Sequence, residues 1–323
     1  MYVVAGHMCP GRPFLLAFGQ EAVMVFFLLS GFVIEFSSAK SLGKGFGHYF
    51  WRRFTRIYSV LILLFVGVCL LQHTDLSDPG FWKVLAGNLA MLQDFESAKP
   101  AVIVPTLFAS ALWSLHYEWW FYMAYFPLAA RVSPLTQTQC QGWIGVAAAI
   151  VYAAHPNMPA RLAFYFCIWW TGVVLARSYR AKGCVEWADA LLPGAFLAAI
   201  SVILAVPCLW HLHAGGHFQP GVHPFIEFRH VASTLSLLVV ALVWQKLHWI
   251  GFRPLLGWGI WVAPISYALY ISHQPLLTQA GYLGWINNPV LRGGLYVAIL
   301  LLFCGFAELK FYPFVRRQLL RRA

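Results

Sequence analysis

Long stretches of this chain carry no formal charge. Residues 57–74 run 18 positions without one, 132–160 run 29, 190–226 run 37 and 254–291 run 38. About 20 mostly apolar residues carry a helix across the hydrocarbon of a bilayer. The period-two alternation of a membrane β-barrel is absent from these stretches. The pattern predicts an all-α, polytopic membrane bundle with spans near 20–36, 57–73, 111–130, 142–156, 162–177, 190–210, 230–246, 257–278 and 291–309. An apolar stub at 1–9 adds a truncated first helix, giving about ten transmembrane helices in all. The chain, 1–323, reads as one membrane-embedded domain. Within it 80–93 is the exception: Phe81, Leu85, Leu89 and Leu92 fall near one helical face, as in an amphipathic helix lying at the outer interface.

Composition agrees with this reading. The hydrophobic class makes up 60 % of the residues and charged residues only 10 %, against about 25 % charged in soluble domains. Aromatics at 17 % exclude a disordered chain. The net charge of +11 would suit a nucleic-acid partner if it formed a patch, but its distribution follows topology instead. With the 37–56 loop in the cytoplasm and the sides alternating, 16 of the 22 basic residues fall on one side and 6 on the other. That asymmetry is the positive-inside signature of a bacterial inner-membrane protein with a cytoplasmic C-terminus, and nucleic acid is not needed to explain it. The stub at 1–9 is too short to span and lacks the charged start of a signal peptide. The parity places Cys9 outside, which expects a first helix beginning upstream of Met1.

Inside a membrane the informative residues are the costly ones, since a mid-span acid carries about 2.5–3.5 kcal/mol on the insertion scale. Ser114, Glu118 and Tyr122 are spaced i, i+4, i+8 and share a helix face, so the acid has a hydroxyl and a phenol on hand. The competing reading is a polar seam between helices. Ser266, Tyr270 and His273 lie on another single face, where hydroxyls also serve as helix glue. Arg53 and Arg56 open a span from its cytoplasmic end. They set topology there, and their planar guanidiniums also suit an anionic donor. His7, followed by Pro10 and Gly11, reads either as an interface residue or as a base.

Other motifs carry less. His211, His213, His217, His223 and His230 match no standard zinc spacing, and no metal is assigned. None of the seven cysteines forms a Cys-x-x-Cys pair. They read as small core residues, with Cys9 and Cys208 near the same end as the one conceivable disulfide.

These stretches resemble the membrane acyltransferase-3 family. Val25-Phe26-Phe27-Leu28-Leu29-Ser30-Gly31-Phe32-Val33-Ile34 is similar to its second helix, and Arg53 with Arg56 to its Arg-x-x-Arg segment. Trp113-Ser114-Leu115 with Glu118, Phe121 and Tyr122 resembles its Trp-Ser-Leu-x-x-Glu-x-x-Phe-Tyr motif. Ser266-Tyr267 through His273 and Pro275 resembles a late helix, and His7 the histidine closing the first. Two departures stand out: the family's basic residue some eleven positions before that histidine would precede Met1, and Val23-Met24 stand where an Asp is frequent, with Glu21 one turn earlier.

The resemblance implies acyl transfer, often of acetyl, from acyl-coenzyme A to a hydroxyl of an envelope carbohydrate or glycolipid. Acyl-CoA would be a co-substrate, with no bound cofactor. His7 would be the general base and Glu118 its orienting acid. Arg53 and Arg56 would hold donor phosphates, while Ser114, Tyr122, Ser266, Tyr270 and His273 would line the substrate site, with membrane lipid around the whole. Two alternatives stay open from the residues alone. One is a transporter or flippase of a lipid-linked sugar or small anion, for which Glu118 and His273 would suit proton coupling. The other is an inactive truncated homologue.

Overall fold

The structure, a computed structural model, describes residues 19–38, 42–131 and 133–320. Almost all of it is helix. In chain order the elements are α1 (Gly19–Ser38), α2 (Gly45–Leu71), α3 (Pro79–Leu89), α4 (Trp113–Arg131), α5 (Pro134–Ala154), α6 (Met158–Lys182), α7 (Trp187–His213) and α8 (Phe225–Lys246). The short α9 (Phe252–Leu256), α10 (Gly259–Val262) and α11 (Ser266–His273) follow, then α12 (Pro289–Phe306) and α13 (Tyr312–Leu320). The loop between α3 and α4 holds a two-residue parallel pairing of β1 (Gln93–Asp94) with β2 (Val104–Pro105).

Several starts are written in local sequence. Asp78, Ser133, Asn157 and Asn288 each cap the first turn of α3, α5, α6 or α12 through a side-chain oxygen, and each is followed by Pro at one of the first two helical positions. Such a residue satisfies an orphan N–H, and the ring pre-sets the helical φ. Gly183 closes α6 in the left-handed conformation (φ 74°), which a Cβ would oppose.

Among the described residues, seven helical segments are long and apolar enough to cross a membrane: Gly19–Ser38, Leu42–Leu71, Met158–Lys182, Trp187–His213, Phe225–Lys246, Phe252–Thr278 and Pro289–Leu319. The protein is thus a multi-pass, all-α membrane protein. Helix α6 is its axis. Of its apolar window 72 % is buried, against 22 % in the last two spans. It meets α1 through two glycines: a Cβ at Gly31 would strike the Trp169 carbonyl, and one at Gly172 the Leu28 carbonyl. Backbones therefore touch, as small residues permit between membrane helices, and Ser30 is brought beside Trp169.

Three expectations change. Helix α2 begins at Gly45, so Arg52, Arg53 and Arg56 stand on a helix rather than a loop, with Arg53 and Arg56 one turn apart. The predicted helix 257–278 is broken into α10, a 3-10 turn at Ala263–Ile265, α11 and a π-helical turn at Gln274–Thr278. Pro264 and Pro275 lack the N–H that a continuous helix needs, and their rings clash with the preceding turn. The 80–93 helix stops at Leu89, and Met91 adopts φ 54°, which turns Leu92 off the expected face.

Contacts at the helix ends sort the bundle into two poles. At one, Arg229 at the start of α8 pairs with Glu21 at the start of α1. Near it Tyr152 at the end of α5 donates to Glu227, and Arg161 near the start of α6 donates to Tyr117. At the other, Glu35 near the end of α1 pairs with Arg177 and Arg180 of α6 and accepts from Tyr125 of α4. The helices thus alternate in direction as the charge pattern requires.

Candidate functional site

Helix α4 presents Ser114, Glu118 and Tyr122 on the face that the i, i+4 spacing dictates. The Glu118 carboxylate accepts from Ser30 Oγ at 3.2 Å and from the Tyr122 hydroxyl. Ser30 in turn accepts from Trp169 Nε1 at 3.2 Å. An indole N–H can only donate, so the Ser30 oxygen is the acceptor there and its own proton is left for Glu118. A second hydroxyl pair lies one turn back: Tyr270 donates to the Ala111 carbonyl at 2.9 Å and lies 2.8 Å from Ser114 Oγ. Ser114 Oγ also lies 3.5 Å from that carbonyl, so the two hydroxyls share one acceptor. Ser266 Oγ donates to the Ala263 carbonyl at 2.9 Å.

Two cavities meet at this acid. One, of about 350 Å³, is bordered by Ser114, Ser266, Tyr267 and Tyr270. The other, of about 310 Å³, is bordered by Ser30, Arg52, Arg53 and Arg316 on its polar side and by Leu29, Val33 and Ile34 on its apolar side. Phe26, Arg56, Glu118 and Tyr122 line both. One space rich in hydroxyls and one rich in guanidiniums therefore share a wall, and Glu118 stands in it.

The two motif arginines are held differently. Arg56 pairs with Glu308 and lies over the rings of Tyr267 and Tyr312, at 5.2 and 5.1 Å. Arg53 lies over Tyr49 and Tyr122 at 5.4 and 5.5 Å, and its Nη2 donates to Ser38 Oγ at 3.4 Å. Aromatic faces attract such cations.

Seven of the nominated residues thus gather: Glu118, Arg53, Arg56, Ser114, Tyr122, Ser266 and Tyr270 all border the joined cavities. His273 is fully buried, with Nδ1 2.7 Å from the Tyr270 carbonyl, and stands behind that lining. His7 lies outside the described residues, as does Cys9. Cys208 is a buried free thiol that donates to the Leu204 and Pro224 carbonyls. Of the loop histidines, His211, His213 and His217 are exposed. His223 pairs with Glu227, and His230 lies against Tyr165 and the Trp113 ring.

Sequence reasoning missed Glu308, Trp169, Tyr267, Arg52 and Arg316. The penalty on membrane acids, applied evenly along the chain, would have singled out Glu308 and Glu35. Nothing local marks Trp169 among fifteen tryptophans.

A third polar cluster closes the opposite pole. Asp94 pairs with Arg161 at 2.8 Å and Lys99 at 3.1 Å and accepts from the Tyr117 hydroxyl at 2.7 Å. Arg161 Nη1 also donates to the Pro100 carbonyl at 2.6 Å, and Lys99 Nζ sits 3.8 Å from the centre of the Trp113 ring. Burial alone would raise the Asp94 carboxyl, but the neighbouring charges, Lys99 foremost, hold it well below the ordinary carboxylate range. Burial pushes the Lys99 amine down to about 8, although Asp94 resists.

Spanning helices around an internal acid, with an arginine-lined space on one side and a hydroxyl-lined space on the other, define a multi-pass membrane protein with a buried polar site. Residues 1–308 match a family model described as an acyltransferase domain, and the chain belongs to the acyltransferase-3 family. It is 34 % identical over 140 residues to acyltransferase MdmB of Streptomyces mycarofaciens, a stretch covering 41 % of this chain and 34 % of that protein. The alignment spans about a third of the length of that curated relative. No solved structure matches.

Proposed function

We propose that the protein transfers an acyl group, acetyl in the simplest case, from acyl-coenzyme A to a hydroxyl of an envelope carbohydrate or glycolipid. The observation that carries this reading is the pair of cavities joined at Glu118, one lined by guanidiniums and the other by hydroxyls. A polyanionic donor suits the first and a polyhydroxylated acceptor the second. Family membership supports the reaction class.

In this mechanism His7 takes the proton of the acceptor hydroxyl, whose oxygen attacks the thioester carbonyl. The new C–O bond forms as the C–S bond breaks, and the proton leaves on the CoA thiol. Imidazole suits the task because its pKa lies near operating pH, and a positioned base is worth about 10²–10⁴ in rate. Glu118, fixed by Ser30 and Tyr122, orients or balances the imidazolium. Tyr270 and Ser114 position the acceptor. Arg53 and Arg56 engage phosphates.

The arginine pole would face the cytoplasm of an inner membrane, with the C-terminus on that side. Helices α4 and α5 would cross as well, and α3 would lie at the outer interface.

The test is thiol release from acetyl-CoA by purified protein, with an envelope-glycan extract as acceptor. Release that requires the extract and disappears in His7→Ala, with insertion and abundance unchanged, is the expected result. Release by His7→Ala at the unmodified rate overturns the base assignment. Absence of release from any acyl donor overturns acyl transfer.

A further inference from the structure

The arginine-lined cavity holds more positive charge than the motif arginines supply. Arg52, Arg53, Arg56 and Arg316 all border it. Only Arg56 among them has a carboxylate within ion-pair distance among the described residues, and that partner is Glu308. Two further arginines of this pole, Arg177 and Arg180, are answered by Glu35. Three guanidiniums without an acid, converging on one space, repel each other unless an anion joins them. Arg53 Nε is buried with no hydrogen-bond partner among the described residues.

Arg316 reaches this cavity from α13, which lies beyond the residues that the family model matches. Tyr312, one turn earlier on that helix, lies under the Arg56 guanidinium, so α13 is docked along α2 with Arg316 on the same face. Leu29, Val33 and Ile34 of α1 give the same cavity an apolar lining. The cavity lining is thus of two kinds, guanidinium and apolar. A ligand with phosphates at one end and an uncharged arm at the other fits that polarity, because planar guanidiniums bind phosphate oxygens bidentately.

We propose that Arg316, together with Arg52 and Arg53, forms the mouth that binds the phosphates at the nucleotide end of the acyl donor, which makes α13 a working part of the site. This rests on the acyl-CoA reading above. Arg316 sets donor affinity and selectivity for the phosphorylated carrier, and it takes no part in the chemical step.

The experiment compares two acyl donors on the full chain in detergent. Arg316→Gln raises KM for acetyl-CoA about ten-fold with kcat unchanged, the scale of one charge-assisted hydrogen bond. KM for S-acetylpantetheine, which has no phosphate, does not move. Arg316→Lys falls between, since it keeps the charge and loses the fork. A second arm needs no turnover: adenosine 3′,5′-bisphosphate binds the unmodified chain, and Arg316→Gln weakens it by a similar factor. Equal bisphosphate affinity in the two proteins overturns the proposal, and so does an equal KM rise on the phosphate-free donor. If bisphosphate binding depends on Arg316 while no donor releases thiol, the phosphate mouth stands and the acyl-transfer reading falls. Repeating the titration in nanodiscs of neutral lipid distinguishes a headgroup: an Arg316 effect that appears only with anionic lipid overturns the assignment.

Discussion

The two poles of this bundle use the same residue types to opposite ends. At the pole around Asp94, a carboxylate is met by Lys99, Arg161 and Tyr117, all of them buried. At the pole around Arg53, guanidiniums outnumber acids and face a cavity of about 310 Å³. A buried charge that is fully paired holds structure. A surplus charge beside open space holds a ligand. The first arrangement ties the 90–112 loop to α4 and α6. The second leaves an excess of positive charge around the cavity.

Four measurements break or sharpen that contrast. The largest effect belongs to Asp94→Asn, which strands Lys99 and Arg161 as buried cations. Breaking such a set from one side costs about 3–5 kcal/mol, so the melting temperature in detergent should fall steeply, with donor KM unchanged in the protein that survives. Normal melting would end the structural assignment of that pole. Next is Ser30→Ala, which leaves the Trp169 N–H without its acceptor and takes a donor from Glu118. A loss of about 1–3 kcal/mol is expected, divided between melting and kcat. If kcat is untouched, Ser30 only packs.

Arg53→Gln should do the reverse of Asp94→Asn, raising KM for acetyl-CoA about ten-fold, or about 1.4 kcal/mol, at unchanged melting temperature. A loss of folded protein instead would return Arg53 to topology alone.

The smallest effect is in pH. Lys99 in the folded protein has its amine lowered from 10.5 to about 8, so between those values the unfolded chain holds more protons. The contribution of this site to stability therefore rises with pH across that window, by about 1 kcal/mol over the first unit. Asp94 acts with the same sign in a lower window. Its carboxyl is lowered from 3.8, so its contribution is full above that value and lost as pH falls below it. Melting from pH 7.5 to 9 should show the alkaline rise, and Lys99→Met should abolish it.

Much of the site was legible because its residues sit on single helices. The spacing of Ser114, Glu118 and Tyr122 fixes one face whatever the neighbours do, and the same holds for Ser266 with Tyr270. His273 falls on that face by spacing yet is fully buried and lies outside the cavity lining. The charge-free stretches and the sidedness of the basic residues likewise gave the membrane class and the alternation of the helices.

What the sequence determined by itself, then, is polarity and period, which are local properties of a chain in a bilayer. The tertiary structure decided which charges meet. Arg56 finds Glu308 at a separation of 252 residues, Ser30 finds Glu118 at 88, and Trp169 reaches Ser30 across 139. Only folding decided that Asp94 would meet two cations while Arg53 and Arg316 meet no acid among the described residues. The physical reason is that a buried charge is stable or reactive according to the partners packed against it, and those partners come from distant parts of the chain.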